Sequence, residues 1–252
     1  MTARNEDGVL VKTPYKKQEF TELQLQEFMK CADPDTGPEY FLRNFFFIQH
    51  PVQGKIQYNP WEFQERLIKT YHNYRFSISM MPRQTGKSTS AAGYLLWFAM
   101  FKPDSTILVA AHKYAGAQEI MQRVRYSYEA CPDHIRAGAT SYNKGSIEFD
   151  NGSRIVAQTT TENTGRGMSI TLLYCDEFAF VRPTIAKEFW TSISPTLSTG
   201  GGAIITSTPN SDEDQFAFIW KGANKTEDEY GNTKELGVNG FKAYRAYWRE
   251  HP

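Results

Sequence analysis

The segment from Ser77 to Thr89, SISMMPRQTGKST, constrains the fold of this chain more than any other segment. A short apolar run breaks there into a polar loop and restarts as a helix-forming segment, which is the layout of a phosphate-binding loop. Gly86 lets backbone N–H groups approach phosphate oxygens, Lys87 supplies an ammonium group, and Ser88 supplies a hydroxyl for Mg²⁺. The amides of the following helix N-terminus complete an anion site. The position where the general pattern has its first glycine holds Met81, so this loop needs a second motif to support it.

The second motif is the run from Thr171 to Glu177, TLLYCDE, in which an apolar segment ends in two acids. A strand that delivers carboxylates at its C-terminal end is what a nucleotide-hydrolysing site requires. Asp176 would hold the Mg²⁺ shell and Glu177 would polarise an attacking water. The alternative is a core strand that ends in a solvated acidic pair. The presence of the phosphate-binding loop in the same chain disfavours this alternative.

Composition sets limits on function. Lys plus Arg and Asp plus Glu both total 28, so no global positive field indicates nucleic acid, and any DNA contact must come from a local patch or from partner subunits. The three cysteines lack metal-ligand spacing and the N-terminus is too polar for a signal peptide, so a reducing cytoplasm is expected. The most apolar helix candidate, Ser90 to Phe101, is too short to span a bilayer.

The N-terminal part predicts a small subdomain. Residues 1–17 are polar and predict a loose arm, and Thr21 to Gln24 resembles a capping box at the start of a short helix. The aromatic block Tyr40 to Ile48 predicts core packing, with base stacking as the alternative. A further helix is predicted to begin near Pro60.

Gln64 lies in that predicted helix and has two interpretations. Its spacing alone favours a side chain that faces solvent. The alternative is an amide that reads the N6 and N7 edge of adenine, with Tyr58 stacking on the base, because an amide offers both a donor and an acceptor.

The rest of the chain predicts strands alternating with helices, and therefore a parallel sheet. Continuous apolar runs predict strands that are covered on both faces, and alternation around Asn-Gly predicts a hairpin. The predicted elements are a helix at 88–101, a strand at 105–111, a helix at 115–128, a hairpin of 145–149 with 154–157, a helix at 183–193 and, within 202–210, a buried strand that breaks into a polar turn.

A strand, a helix and a hairpin separate the phosphate loop from the acidic strand. This arrangement matches the branch of P-loop NTPases in which the catalytic glutamate lies beside the metal-site aspartate, and it disfavours kinase-like transfer. The predicted fold is therefore an α/β P-loop NTPase (ASCE branch) with a mostly parallel central sheet flanked by helices. The predicted divisions are an N-terminal arm and subdomain at 1–57, an ATPase core at 58–215, and the start of a small, incomplete C-terminal subdomain at 216–252.

With these residues placed, the chain resembles the large terminase subunit, the DNA-packaging ATPase, of tailed double-stranded-DNA phages, most closely the myovirus type. The resemblance covers nearly the whole chain from about Tyr40 onward. The segments that carry it are RQTGKS at 83–88, YNKGSIEFDNGS at 142–153, GRG at 165–167, LYCDEFA at 173–179 and TSTPN at 206–210.

The resemblance implies a Mg-dependent ATPase with ATP and Mg²⁺ as cofactors, and a loop without the first glycine is normal in this family. Asp176 and Ser88 would hold the metal, and Glu177 would activate water. The segment Thr206, Ser207 and Thr208 would form the coupling motif that senses the γ-phosphate and transmits hydrolysis to DNA movement. Gln64 would be the adenine-reading glutamine. The residues implied to bind ATP are Gln64, Arg83, Gln84, Thr85, Gly86, Lys87, Ser88 and Thr89.

Two arginines are candidates for stabilising the transition state. Arg83 lies where the family has a loop arginine that acts on the phosphates, and the resemblance makes it catalytic together with Glu177 and Lys87. Arg166 lies in the other arginine-bearing loop and is the alternative arginine finger. The sequence leaves open which of them acts, and whether it acts in its own site or in a neighbour's.

The resemblance also implies partners and a location. The partners are double-stranded DNA, the portal protein and the small terminase subunit, with no membrane. The chain would be a ring-forming homo-oligomer when packaging and a monomer in isolation. It would work in the cytoplasm of the infected host cell, transiently docked on the procapsid, and it would not be secreted.

Family members continue into a ribonuclease-H-like nuclease, and this chain is therefore predicted to be a fragment. The acids at 212–214 and 227–229 have the pattern of solvated loop charges, so nuclease activity is not predicted for these residues. A helicase-like ATPase is the second hypothesis, but it needs a second motor domain and no second sheet pattern follows residue 210. The third hypothesis is a nucleotide-binding module without useful turnover.

Overall fold

The structure, a computed structural model, describes residues 10–228 and 230–250. The described strands are β1 Phe47–His50, β2 Gly54–Gln57, β3 Phe76–Met80, β4 Thr106–Ala111, β5 Ala139–Tyr142, β6 Ser146–Phe149, β7 Arg154–Thr159, β8 Leu172–Asp176, β9 Gly202–Ser207 and β10 Lys242–Arg245. The helices are α1 Glu22–Ala32, α2 Gly37–Phe45, α3 Glu62–Asn73, α4 Lys87–Phe101, α5 Tyr114–Ala130, α6 Pro183–Ile193 and α7 Gln215–Asn224, with short 3₁₀ helices at Phe178–Phe180, Ser194–Leu197 and Trp248–Glu250.

Eight strands form one sheet in the order β10-β3-β9-β8-β4-β7-β6-β5, and β1 pairs with β2 in a separate hairpin. The neighbours β10, β3, β9 and β8 run parallel, whereas β5, β6 and β7 run antiparallel. The mostly parallel sheet flanked by helices is therefore confirmed. The sequence did not predict β5, because its four residues carry almost no apolar signal.

The chain forms two compact units from interleaved segments, whereas the sequence predicts three consecutive divisions. Among the described residues, the first unit comprises 10–60, 88–107 and 118–156, and the second comprises 61–87, 108–117, 157–228 and 230–250. Within the described residues, no helix has the length and apolar character needed to cross a bilayer.

The first unit contains the predicted N-terminal helix and the described part of the predicted arm. The capping box at Thr21 is confirmed, since its side chain accepts from the N–H of Gln24 and the Gln24 side chain accepts from the N–H of Thr21. Residues 1–9 of the predicted loose arm lie outside the described residues. Within the described part, Lys12 Nζ donates to the carbonyl oxygens of Asp133 at 2.7 Å and Arg136 at 3.0 Å, so this lysine is held in place.

The aromatic block packs into the core of this unit, as predicted. Phe41 and Phe46 are fully buried, and Phe46 meets the ring of Tyr58 edge-on at 5.4 Å between centroids. Tyr58 is itself 4% exposed, and its hydroxyl lies 2.6 Å from Ser90 Oγ. The prediction that Tyr58 stacks on a base is therefore wrong for this structure, because the ring is buried among side chains.

In the second unit, side chains alternate between the two faces of β3, β8 and β9, as the pleat requires. Ile78, Cys175 and Ile205 lie on the face that forms a core cluster with residues of α6 and α7, such as Phe189 and Phe216. The opposite face carries the polar residues Ser77, Ser79, Tyr174, Asp176 and Thr206, all of them buried.

The stretch for which the sequence predicts the start of a further subdomain supplies α7 and β10. Strand β10 pairs with β3 in parallel, with Tyr244 opposite Ser79. Helix α7 begins at an Asp214 cap and contributes Phe216 and Ile219 to the core cluster. Helix α6 has the predicted bounds, Pro183–Ile193, with proline in its first turn.

Candidate active site

The loop between β3 and α4 is held by hydrogen bonds to β9 and within the loop. The N–H of Met81 donates to the carbonyl oxygen of Ser207 at 3.1 Å, and Thr85 Oγ1 donates to the carbonyl oxygen of Pro82 at 2.9 Å. Gln84 has φ +63° and Gly86 has φ +74°. Glycine adopts this left-handed region without the strain that a side chain would bring, so Gly86 fits the turn immediately before the helix.

Gln64 contacts this loop from α3. Its Nε2 donates to the carbonyl oxygen of Thr85 at 2.9 Å, and its Oε1 accepts from the N–H of Trp61 at 3.1 Å. The side chain is 3% exposed, so the interpretation of a solvent-facing glutamine is wrong. A Cβ added to Gly86 would lie 2.6 Å from Gln64 Nε2. The amide therefore braces the loop, a role that spacing alone did not reveal, and its contact with adenine stays a prediction.

Two acids follow one another at the end of β8. Asp176 is the last strand residue and pairs in register with Thr206 of β9. Its Oδ1 accepts from the Tyr174 hydroxyl at 2.9 Å and from Thr206 Oγ1 at 3.2 Å. Burial raises the pKa of Asp176 above its usual value, and the charge of Lys87 and the Tyr174 hydrogen bond only partly oppose this rise.

Glu177 turns away from the strand with φ +50°, and its carboxylate bridges two parts of the site. Lys87 Nζ contacts Oε1. The other oxygen, Oε2, accepts from Ser207 Oγ at 3.3 Å and from the N–H and hydroxyl of Thr208, both at 3.2 Å. Burial disfavours the charged form, but the hydrogen bond and charge of Lys87, with the Thr208 donors, outweigh burial and hold the pKa of Glu177 below its usual value.

The segment 206–208 is therefore divided between the two acids. Thr206 is fully buried and contacts Asp176, whereas Ser207 and Thr208 contact Glu177. Strand alternation separates Thr206 from Ser207, but it would place Thr208 on the same side as Thr206. The contact of Thr208 with Glu177 arises because Thr208 lies beyond the end of β9.

A cavity of about 360 Å³ opens at Glu177. Its lining residues are Arg83, Gln84, Lys87, His112, Glu177, Phe180 and Thr208. His112 follows the end of β4 and was not predicted, although the C-terminal ends of parallel strands are where such residues collect. The cavity thus brings together the predicted Arg83, Lys87 and Glu177 with Thr208.

Arg166 lies in a different loop and is exposed. Gly165, before it, has φ +72°, and its N–H donates to Gln158 Oε1 at 3.1 Å. Within the described part of the chain, Arg166 is not among the residues that line the 360 Å³ cavity. Of the two candidate arginines, Arg83 is the one that this structure places at Glu177.

Ser88 and Thr89 lie in the first turn of α4, and both are half-buried. Thr89 lines a separate cavity of about 280 Å³ in the first unit, with Phe46, Gln49 and Tyr126 among the other lining residues. Their roles toward Mg²⁺ and ATP stay predictions.

Mg²⁺ binds to oxygen ligands, and the described residues offer such ligands near the phosphate loop. Among residues 10–228 and 230–250, no group of three or more His, Cys, Asp and Glu side chains could hold a metal ion. Mg²⁺ in nucleotide sites, however, keeps waters and phosphate oxygens and needs only one or two protein ligands. The buried carboxylate of Asp176 is an oxygen donor of the kind that Mg²⁺ prefers, so this residue fits a nucleotide-bound Mg²⁺.

Comparison with known proteins shows the family of this chain. The family described as "Terminase large subunit, T4likevirus-type, N-terminal" matches residues 78–248. The match includes the phosphate loop, the acidic strand and the segment 206–208.

Solved structures with the same fold include phage terminases. The ATPase domain of the large terminase of Thermus phage P74-26 is 20% identical, with a TM-score of 0.58, covering 77% of this chain and 83% of that one. The large terminase of bacteriophage HK97 is 18% identical, with a TM-score of 0.65, covering 81% and 42%. The large terminase of thermophilic bacteriophage D6E in complex with ADP is 10% identical, with a TM-score of 0.57, covering 76% and 46%. This chain therefore spans less than half of the two longer proteins.

Proposed function

Because this chain belongs to the T4-like terminase large-subunit family and is a large terminase ATPase domain, we propose that it hydrolyses Mg·ATP to move double-stranded DNA into a procapsid. The observation that carries this proposal is the meeting of Lys87 and Glu177 at one cavity, beside the buried Asp176. A phosphate-binding ammonium, a water-activating carboxylate and a metal-site carboxylate are the groups that phosphoanhydride hydrolysis needs. The D6E terminase was solved with ADP, which supports nucleotide binding by this fold.

Nucleotide binding would begin with an exchange of partners at Lys87. The β- and γ-phosphates carry more negative charge than one carboxylate, so they would draw the ammonium group away from Glu177. Glu177 would then keep its contacts to Ser207 and Thr208. Since Lys87 lowers the pKa of Glu177, its departure makes the carboxylate a stronger base at the moment when substrate is in place.

Asp176 and Ser88 would hold Mg²⁺, which supplies charge neutralisation at the β- and γ-phosphate oxygens. Arg83, in the wall of the cavity, would stabilise the charge that develops on the transferred phosphoryl group. Thr208 lines the same cavity and holds Glu177, so a hydroxyl of the coupling segment would sense cleavage directly.

The partners form part of the same proposal. Double-stranded DNA, the portal protein and the small terminase subunit are the proposed partners, in a ring that docks on the procapsid in the cytoplasm of the infected host. Family membership supports these partners. No nuclease function is proposed for the described residues.

The proposal is tested by ATP turnover of this chain with and without linear double-stranded DNA, beside Glu177→Gln. We expect hydrolysis that DNA stimulates and that the variant loses. Turnover that single strands stimulate and blunt duplexes do not would favour a helicase-like ATPase. Tight ATP binding without turnover in any condition would favour a nucleotide-binding module.

A further inference from the structure

We propose that Tyr174 is a positioning residue that, with Thr206, fixes the carboxylate of Asp176 for the metal, an inference that rests on the ATPase function proposed above. Tyr174 lies two residues before Asp176 on β8, so both side chains leave the same face of the sheet. Its hydroxyl lies 2.9 Å from Asp176 Oδ1 and 3.0 Å from Thr206 Oγ1. All three residues are buried, Tyr174 and Thr206 completely.

The hydrogen-bond roles follow from chemistry. An ionised carboxylate only accepts, so the Tyr174 O–H donates to Asp176 Oδ1. The Thr206 O–H then has three acceptors within reach, the Tyr174 oxygen at 3.0 Å, Asp176 Oδ1 at 3.2 Å and, farthest away, the carbonyl oxygen of Cys175 at 3.5 Å. Two hydroxyls from two neighbouring strands thus lie within hydrogen-bond distance of one carboxylate oxygen, an arrangement that restrains rotation of the carboxylate about its Cβ–Cγ bond.

The direction of the Thr206 hydroxyl supports this role. In the sheet register Thr206 stands between Asp176 on β8 and Ser79 on β3. Ser79 Oγ is buried and has no hydrogen-bond partner among the described residues. The Thr206 hydroxyl is therefore directed towards Tyr174 and Asp176 although a second buried hydroxyl lies on its other side.

A purely structural tyrosine would not require this arrangement. A phenylalanine would fill the same volume in an otherwise apolar strand, and a buried hydroxyl costs free energy unless it is hydrogen-bonded. Here the partners of the hydroxyl are the metal-site carboxylate and the first residue of the coupling segment. Groups that hold a metal ligand by hydrogen bonds orient it and typically change metal affinity on the order of 10- to 100-fold when removed.

The test measures how binding of a fluorescent ATP analogue by the full chain depends on Mg²⁺ concentration. The proteins compared are wild type, Tyr174→Phe and Tyr128→Phe. Tyr128 is the matched control, since it is fully buried and its hydroxyl donates to the carbonyl oxygen of Ala137 at 2.7 Å, away from Asp176. We expect Tyr174→Phe to raise the half-saturating Mg²⁺ concentration on the order of tenfold, to leave Mg-free analogue affinity unchanged, and Tyr128→Phe to match wild type.

A double-mutant cycle establishes whether Tyr174 acts through Asp176. In an Asp176→Asn background, Tyr174→Phe is expected to add no further change in Mg²⁺ dependence. Equal Mg²⁺ dependence of Tyr174→Phe and wild type, or an undiminished effect in the Asp176→Asn background, overturns the proposal. If Tyr174→Phe fails to fold, as judged by urea unfolding, Thr206→Val removes the other hydroxyl on the same oxygen, and its failure to shift the Mg²⁺ dependence overturns the cluster's role. If wild type does not bind the analogue, the proposed function itself is overturned.

Discussion

The ammonium group of Lys87 contacts Glu177 Oε1, so the residue that would bind phosphate and the residue that would activate water hold each other. Glu177 keeps a second set of contacts through Oε2, to Ser207 and Thr208. Under the proposed function, the substrate phosphates would replace only the Lys87 contact of this carboxylate. One binding event would then both hold the phosphates and raise the basicity of Glu177.

Lys87→Ala is expected to weaken nucleotide binding. The variant removes a charge-assisted contact worth about 1.5–3 kcal/mol, which corresponds to roughly a 10- to 150-fold rise in Kd. Lys187→Ala, an exposed lysine of α6, is the control and is expected to bind as wild type does. Unchanged affinity of Lys87→Ala for a fluorescent ATP analogue would place the phosphate contact elsewhere.

Substitutions at the two threonines of the coupling segment are expected to have different kinetic effects. Thr208→Val removes a donor to Glu177 and is expected to lower turnover at saturating ATP and Mg²⁺, with affinity changed by no more than about threefold. Thr206→Val removes a donor to Asp176 and is expected to raise the Mg²⁺ requirement instead. Steady-state kinetics over ATP and Mg²⁺ concentrations separate the two outcomes. Identical kinetic defects in both variants would mean that the division of this segment has no functional meaning.

Gln64→Ala is expected to weaken ATP and GTP binding equally. The amide braces the phosphate loop through the carbonyl of Thr85, and loss of a buried hydrogen bond costs about 1–3 kcal/mol of stability. Competition binding with the two nucleotides and urea unfolding measure these effects. A loss confined to ATP would instead support the adenine-reading role that the family resemblance implies.

Gly86→Ala is expected to lower both the thermal stability and the nucleotide affinity, for two separable reasons. The φ of +74° at this position disfavours any side chain, and the new Cβ would lie 2.6 Å from Gln64 Nε2. The double variant Gly86→Ala, Gln64→Ala lacks the close contact and keeps the backbone strain, so it is expected to regain part of the thermal stability. A double variant no more stable than Gly86→Ala would show that the contact with Gln64 is not what limits this position.

Arg83→Ala is expected to lower the single-turnover rate of hydrolysis more than Arg166→Ala does, when the enzyme concentration is low. Arg83 lines the cavity at Glu177, whereas Arg166 is exposed in another loop. Single-turnover hydrolysis at low enzyme concentration compares the two variants. If only Arg166→Ala is impaired, and more so as enzyme concentration rises, the catalytic arginine comes from a neighbouring subunit.

Much of this fold followed from local sequence patterns. The phosphate loop, the buried strands and the helix Pro183–Ile193 were predictable because apolar runs, proline and glycine act over a few residues. Strand β5 was not, since its residues lack alternation and gain their pairing from β6. The interleaved units also escaped prediction, because contacts between distant segments leave no mark on local periodicity.

The site was predictable in its residues and less so in its contacts. Residue types and spacing indicated Lys87, Asp176 and Glu177. They did not show that Gln64 faces inward to Thr85, or that Tyr174 bonds to Asp176. Those contacts depend on which strands are neighbours and in what register, which the sequence of one strand does not specify.

The most direct test of the account is single-turnover hydrolysis of Mg·ATP by wild type and Glu177→Gln, with analogue binding measured on the same samples. Glutamine keeps the size of the side chain but cannot accept a proton from water. We predict that both proteins bind the analogue within about threefold of each other, and that hydrolysis by the variant falls on the order of 100-fold or more. Equal hydrolysis rates, with binding intact in both, would contradict the assignment of Glu177 as the base.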